Sequence, residues 1–226
     1  KKLGYDKENL LYIPLRGDLK KSYDLIKQEL LQEPCVKAIS ASNSPPYMIG
    51  SNSDNITWEG KPADMHVLVS MGSADYDYIE AMGIELKAGR GFSKEFPGDA
   101  DHDTTANFII NEQLERIMET DNALGARLRF GSSGTVVGVM KDFNFQSLHE
   151  PIAPLALAIW GDDFRNFMLV RLHPGNLTGN MKQLGKAWER VVPSYPMDFH
   201  FVDQEIEGNY RTEIRMGTLM NIFSLL

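Results

Sequence analysis

The chain has 226 residues, a formal net charge of −8 and a single cysteine, with 42% hydrophobic and 24% charged residues. This is the composition of a globular protein long enough to bury a core, and it argues against a disordered or collagen-like chain. The acidic balance argues against a broad nucleic-acid surface, and one cysteine excludes an intrachain disulfide or a cysteine-rich metal centre.

In chain order, Leu10 to Leu15 reads as a strand. After the turn residues Gly17 and Asp18, the apolar positions Leu19, Tyr23, Ile26 and Leu30 share one face of an α-helix. Pro34 follows, where proline commonly ends a helix, and Val36 to Ser40 reads as a second strand. Ser42 to Gly60 is rich in Ser, Asn, Pro and Gly and reads as loop. A mixed series comes next: a strand at 66–70, a helix at 74–82, and strands at 84–86 and 108–110. Then come a helix at 112–118 capped by Asn111, a hairpin of 128–130 and 135–139 around residues 131–134, and a strand at 156–160. Near the end, Phe167 to Leu172 reads as a strand. Leu177, Met181, Leu184 and Trp188 repeat the helical spacing of the first unit, Pro193 closes that helix, and residues 197–202 read as the last strand.

Strand–helix–strand therefore occurs twice, on either side of a mixed segment too large to be a loop. Two such units can share one four-stranded sheet with both helices on one face, the ferredoxin-like arrangement. Its first and last strands are adjacent and antiparallel, so the chain enters and leaves at one end. The expected class is α+β: a split βαβ–βαβ unit with a smaller mixed α/β insertion. Met216 to Leu226 is uncharged and mostly apolar. Two readings fit this run. It is an amphipathic helix packed on the domain, or the first half of a membrane helix of roughly 20 residues with Arg211 and Arg215 at the interface.

Motifs for chemistry are sparse. His66, His102, His149, His173 and His200 include no i, i+4 pair, and neither a phosphate-binding GxxxxGK[ST] nor a Gly-x-Ser-x-Gly elbow is present. Gly89-Arg90-Gly91 lacks the third glycine of a dinucleotide fingerprint. Asp99 to Asp103 lacks the central Gly and later Glu of a calcium loop and reads as a solvated acidic loop. Asp142, Asn144 and His149 are a conceivable catalytic set. The simpler reading has Asp142 and Asn144 bonding backbone where the chain leaves the sheet, with Phe143 and Phe145 in the core. Cys35 reads as a core residue beside the end of the first helix. The residues suggest no catalytic group, cofactor or metal. Tyr47, Met48, Ile49 and Trp58 are apolar residues in a polar loop, and they read as an exposed contact patch for a partner.

Several segments carry a resemblance in their order and spacing. They are Leu3-Gly4-Tyr5-Asp6-Lys7-Glu8-Asn9-Leu10, Met82-Gly83-Ile84-Glu85-Leu86, Gly89-Arg90-Gly91-Phe92-Ser93, Ile110-Asn111-Glu112, Val137 through Phe145, and Phe201-Val202-Asp203. With these, nearly the whole chain resembles the MacB-like periplasmic core domain of bacterial ABC transporter permeases, in the FtsX-like permease superfamily. The resemblance implies a Porter-like subdomain from residues 1–46 and 162–210, a Sabre-like insertion at 47–161, and the start of a second transmembrane helix at 211–226. It implies a non-catalytic domain on the periplasmic side of the inner membrane, serving mechanotransmission in efflux or in lipoprotein or peptide export. The implied partners are a cytoplasmic ABC ATPase, a second permease copy, the membrane through flanking helices, and an adaptor, lipoprotein or peptide in the periplasm. Bending between subdomains would fall at Ser44-Pro45-Pro46 and Gly161-Asp162-Asp163. The alternative function is a tethered periplasmic ligand-binding domain with its pocket between the two subdomains.

Overall fold

The structure is a computed structural model and describes residues 3–100, 105–120, 122–147 and 150–208. The strands are β1 (Leu10–Pro14), β2 (Val36–Ser42), β3 (Asn52–Ser53), β4 (Thr57–Trp58), β5 (Val69–Ser73), β6 (Leu86–Gly89), β7 (Phe108–Asn111), β8 (Arg127–Phe130), β9 (Ser132–Met140), β10 (Leu155–Ala158), β11 (Phe167–Leu172) and β12 (His200–Phe201). The helices are α1 (Asp18–Lys21), α2 (Tyr23–Leu30), α3 (Tyr78–Met82), α4 (Glu112–Ile117) and α5 (Leu177–Val191). Residues 202–208 are also helical.

The strands form two sheets. A four-stranded sheet has the order β12-β1-β11-β2, and every neighbouring pair is antiparallel. An eight-stranded mixed sheet runs β3-β5-β10-β7-β9-β8-β4, with β6 added on β9. The first and last strands are thus adjacent, with Leu11 opposite Phe201. The chain enters and leaves the smaller sheet at the same end, where Lys7 pairs with Glu207 at 3.6 Å.

Strand alternation sorts the side chains into three cores. On β1, Leu11 and Ile13 face α2 and α5 and pack with Ile26, Leu30 and Trp188. Leu10 and Tyr12 point the other way, to a core shared with Tyr78, Met82, Leu155 and Leu157. On β10 the alternation repeats, and Ala156 and Ala158 turn to a third core with Phe108, Leu114 and Val136. The layers therefore run from helices to the four-stranded sheet, across a shared apolar core to the larger sheet, and on to α4.

Local departures from the sequence reading have physical causes. The first helix is two, α1 and α2, interrupted at Ser22 (φ −92°, ψ 3°); the apolar spacing continues through the break and cannot register it. The helix expected from residue 74 begins at Tyr78. Ala74 still belongs to the sheet, bridging Ser42 and donating its N–H to Ala158 O at 3.0 Å. The strand expected at 66–70 is displaced to β5. Leu68 is exposed, and the strand continues through Gly72, where a Cβ would lie 2.6 Å from Leu157 Cδ2. The hairpin turn is tighter than expected, because Ser132 already pairs with Phe130 around Gly131 at φ +65°. The last strand is only β12, since the chain turns helical at Val202, whose side chain fills the shared core. The run from Met216 lies outside the described residues, as do Arg211 and Arg215. Among the described residues no helix is long and apolar enough to cross a membrane.

Candidate functional site

The junction between the sheets is held by directional contacts. Two crossings join the sheets, and they are tied to each other. Asn43 exchanges hydrogen bonds with Ser73: its N–H donates to Ser73 O (3.2 Å), and its Oδ1 accepts from the Ser73 N–H (2.9 Å). Asn166, on the returning crossing, donates its Nδ2 to Asn43 O (2.9 Å) and its backbone N–H to Ser42 O (3.0 Å). Lys20 in turn donates to Asn166 Oδ1 at 2.6 Å. The Ser44-Pro45-Pro46 and Gly161-Asp162-Asp163 segments flank this knot.

The entering segment grips the larger sheet before it reaches β1. Leu3 O accepts the Asn144 N–H at 2.7 Å, and the Asp6 N–H donates to Met82 O at 3.1 Å. Gly4 sits at φ +84°, and a Cβ there would fall 2.5 Å from Asp142 O. Only glycine combines that backbone angle with that approach. Arg171 of β11 is 3% exposed and points into the shared core. It donates Nε to Ala81 O (2.8 Å), Nη1 to Glu8 O (2.6 Å) and Nη2 to Asp6 O (2.6 Å). One guanidinium thereby joins the smaller sheet, the entering segment and α3. Burial lowers its pKa and the Asp6 carboxylate offsets part of this.

A second polar cluster spans from α2 to Asp75, two residues after β5. Tyr23 and Lys27 lie one turn apart on α2, and both donate to Asp75 Oδ2, at 2.5 and 2.6 Å. Lys27 also reaches Asp77. Burial pushes the Asp75 carboxyl up, but the Lys27 charge and the hydrogen bonds from Lys27, Tyr23 and the Tyr76 amide hold it below the ordinary range. Burial works against the Lys27 ammonium, yet Asp75 and Asp77 hold it above its ordinary value. Burial and Asp75 raise the Tyr23 phenol, so it stays a donor. Sequence reasoning missed Arg171 and this trio. A charge inside the apolar strand Phe167–Leu172 was the one available signal.

The four residues expected as an exposed patch do not form one. Met48 is exposed. Tyr47 is half-buried; its hydroxyl meets Tyr12 Oη at 3.0 Å and donates to Glu205 Oε2 at 3.2 Å. Ile49 (2% exposed) fills the shared core, whereas Trp58 (8%) fills the third core. Apolar residues in a polar loop here anchor that loop. The expectation of a solvated acidic loop also fails at Asp99, which is fully buried. It is bonded by Arg90 (Nη2 to Oδ1, 2.9 Å), by Asn107 Nδ2 (2.9 Å) and by the Ser93 N–H (2.9 Å). Asp101, His102 and Asp103 lie outside the described residues.

Asp142 and Asn144 do bond backbone. Asp142 Oδ1 accepts the Gln113 N–H at 2.9 Å, its Oδ2 pairs with Arg116 at 2.6 Å, and Asn144 Nδ2 reaches Leu3 O at 3.4 Å. Phe143 and Phe145 are buried in the shared core, and Cys35 is buried in the core on the helix side of the smaller sheet. His149 lies outside the described residues. Among the described residues no three His, Cys, Asp or Glu side chains are grouped to hold a metal. Apolar side chains fill the space between the sheets, where the ligand-binding alternative had its pocket. A cleft of about 390 Å³ opens elsewhere, lined by Thr57, Trp58, Glu59 and β8–β9 residues.

No family model matches the sequence, and no curated protein matches it. Solved structures do. The periplasmic region of MacB from Actinobacillus actinomycetemcomitans superposes with a TM-score of 0.55 at 12% identity, over 90% of this chain and 94% of that one. A domain of a protein assigned as a permease in Porphyromonas gingivalis gives 0.52 at 17% identity, over 86% and 88%. The extracellular domain of the ABC-type transporter YknZ from Gram-positive bacteria gives 0.53 at 10%, over 84% and 97%. Nearly the full length of each domain is matched, so the chain has the fold of a MacB-like periplasmic permease domain.

Proposed function

We propose that this chain is the non-catalytic extracytoplasmic domain of an ABC transporter permease, coupling cytoplasmic ATP hydrolysis to the handling of a substrate or partner outside the inner membrane. The observation that carries the reading is the placement of entry and exit. β1 and β12 are antiparallel neighbours, and Lys7 meets Glu207, so the segments before β1 and after β12 lie side by side. Two adjacent membrane attachments at one end of the domain suit this geometry, and the shared fold of the three permease domains supports it. In this reading the four-stranded sheet with α2 and α5 is the Porter-like subdomain, residues 1–46 and 162–210. The larger sheet, within 47–161, is the Sabre-like insertion, and 211–226 begins the second membrane helix. Partners are an ABC ATPase, a second permease copy, and an adaptor, lipoprotein or peptide, with exposed Met48 and neighbouring Tyr47 as one contact.

The shared core changes how coupling works. Hinge bending between the sheets would expose apolar surface at about 25 cal/mol per Å². The domain therefore moves as one body, driven through the Leu3–Asn9 segment that grips both sheets. The test uses the full-length gene product in cells. A membrane-impermeant maleimide should label Lys37→Cys from outside, and an ABC ATPase should co-purify with the protein. Protection of that cysteine until the membrane is broken would overturn the reading.

A further inference from the structure

The cleft at the free end of the larger sheet has a composition unlike the rest of the acidic surface. Its strands are β4, β8 and β9, with Thr57 opposite Arg129, Arg129 opposite Ser133, and Arg127 opposite Thr135. Glu59 extends the Arg127 row, its N–H donating to Arg127 O at 3.4 Å. Two parallel rows result: Glu59, Arg127 and Thr135 in one, Thr57, Arg129 and Ser133 in the other. Residues two apart on a strand are about 7 Å apart, and three strands span about 10 Å. The floor between the rows is bare backbone. Leu128 and Trp58 turn inward to the third core, and Gly134 has no side chain, because a Cβ there would meet Ala106 O at 1.8 Å.

The two arginines are uncommitted. Arg90, Arg116, Arg165 and Arg190 pair with carboxylates, and Arg171 holds backbone carbonyls. Arg127 and Arg129 are exposed, and neither guanidinium has a hydrogen-bond or ion-pair partner among the described residues. They stand on the same face of one strand, across the trough from each other. Thr57 and Ser133 add exposed hydroxyls to the Arg129 row, while the Thr135 hydroxyl is committed to Asn107 Oδ1 at 3.0 Å. Guanidinium groups bind carboxylates through fixed, paired N–H donors.

We propose that this trough binds an extended polypeptide segment of a partner, with one Asp or Glu carboxylate clamped between Arg127 and Arg129. Charge complementarity selects this occupant. Two guanidiniums and the Glu59 carboxylate leave a local charge near +1, which suits a single carboxylate. A polyphosphate or a sheet of anionic headgroups would meet Glu59 as a like charge. The exposed Thr57 and Ser133 hydroxyls suit main-chain amides beside the acidic residue, and the bare floor leaves room for an extended segment. The site stands whether or not the chain sits in a permease.

The test is an NMR titration of the ¹⁵N-labelled chain with a blocked hexapeptide carrying one central Glu, and with its Gln counterpart. The Glu peptide should saturably shift the Arg127 and Arg129 Nε signals and the Thr57 and Ser133 amides. The Gln peptide should bind at least about tenfold more weakly, a difference of about 1.4 kcal/mol. Arg127→Gln with Arg129→Gln should abolish the shifts and leave Tm unchanged. Equal binding of both peptides, or no saturable shift with the Glu peptide, would overturn the proposal. So would inorganic phosphate that saturates the same signals as tightly as the peptide, or phosphatidylglycerol vesicles that shift them when the peptide does not. The first outcome would mark a lone-oxyanion site and the second a membrane contact.

Discussion

The two faces of the four-stranded sheet are closed by different means. The helix-covered face is sealed chiefly by shape: Tyr23, Ile26, Leu30, Leu184 and Trp188 lie on β1, β2 and β11, and of these only Tyr23 reaches a buried carboxylate, Asp75. The opposite face meets a second curved sheet and combines apolar packing with a buried arginine and several tyrosines. Apolar attraction is non-directional, so it holds two surfaces together without fixing their register. A short helix layer finds its seat from groove geometry, but two sheets can slide. Directional contacts from Arg171, Asp75 and Asn166 sit where sliding would occur.

The largest expected effect tests the helix face. Trp188 is fully buried and its Nε1 donates to Tyr195 O at 2.8 Å. Trp188→Ala should cost about 3–5 kcal/mol in urea unfolding. Because the sheets share a core, far-UV circular dichroism and the fluorescence of Trp58 and Trp160 should still report one transition. Two separated transitions would show that the sheets are independently stable and that the shared core is weak.

Lys27→Met probes the directional side. It leaves the Asp75 carboxylate buried with only Tyr23 and a backbone amide, and should cost about 3 kcal/mol at neutral pH. The pH dependence has a definite sign. Asp75 is held below its ordinary value, so its contribution is present above about pH 4 and is lost as pH falls through the lowered folded value. Lys27 is held above its ordinary value, so its contribution is present below about pH 10.4 and is lost as pH rises through the raised folded value. Parent and variant stabilities should differ most between these limits and converge in acid. A constant gap down to pH 2 would mean that Lys27 acts by packing alone.

A smaller effect belongs to the larger sheet. Asn111 is buried and does three things: its Oδ1 accepts from Leu114 N (3.0 Å) and Leu155 N (2.9 Å), and its Nδ2 donates to Ala153 O (2.9 Å). Asn111→Ala should cost about 2 kcal/mol, more than a surface cap, because two of these bonds lie outside the helix. Thermal unfolding measures it.

Asn111 also marks how far the sequence could be read. Its capping role was legible, because an Asn before Glu112 is a local signal. Its bonds to Leu155 and Ala153 join residues more than forty positions away, and no local pattern carries them. The same holds across the fold. The four-stranded sheet was legible from two matched helical spacings, down to the pairing of β1 with β12. The larger sheet is legible only as separate elements: several boundaries shift, and β3 and β4 lie in the Ser42–Gly60 segment that reads as loop, because its strands are short and set by contacts such as Gly72 against Leu157. The candidate site was least legible. Polar neighbours suggest exposure of Tyr47, Met48, Ile49 and Trp58 alike, but burial depends on which distant core the loop folds over, and only Met48 stays exposed among the four. Arg127 and Arg129 look like ordinary strand residues until their lack of partners is seen in three dimensions.

The smallest effect is expected to reverse in sign. Tyr5 is buried in the shared core, its ring edge-on to Phe143 at 5.9 Å, and its hydroxyl has no partner among the described residues. Burial raises its pKa, so the phenol stays neutral through the physiological range. An unpaired buried hydroxyl opposes folding by about 1–3 kcal/mol, whereas the ring around it packs well. Tyr5→Phe keeps the ring and removes the penalty, so it should leave stability unchanged or raise it by up to about 1 kcal/mol. A loss of 1 kcal/mol or more in urea unfolding would mean that the hydroxyl is bonded in solution, through an internal water or a shifted Tyr78. A gain would make Tyr5 a point where the entering segment is held less tightly than its surroundings allow. Of the contacts made by Leu3–Asn9, Tyr5 would then be the first to yield under a pull on that segment, ahead of the Arg171 carbonyl bonds.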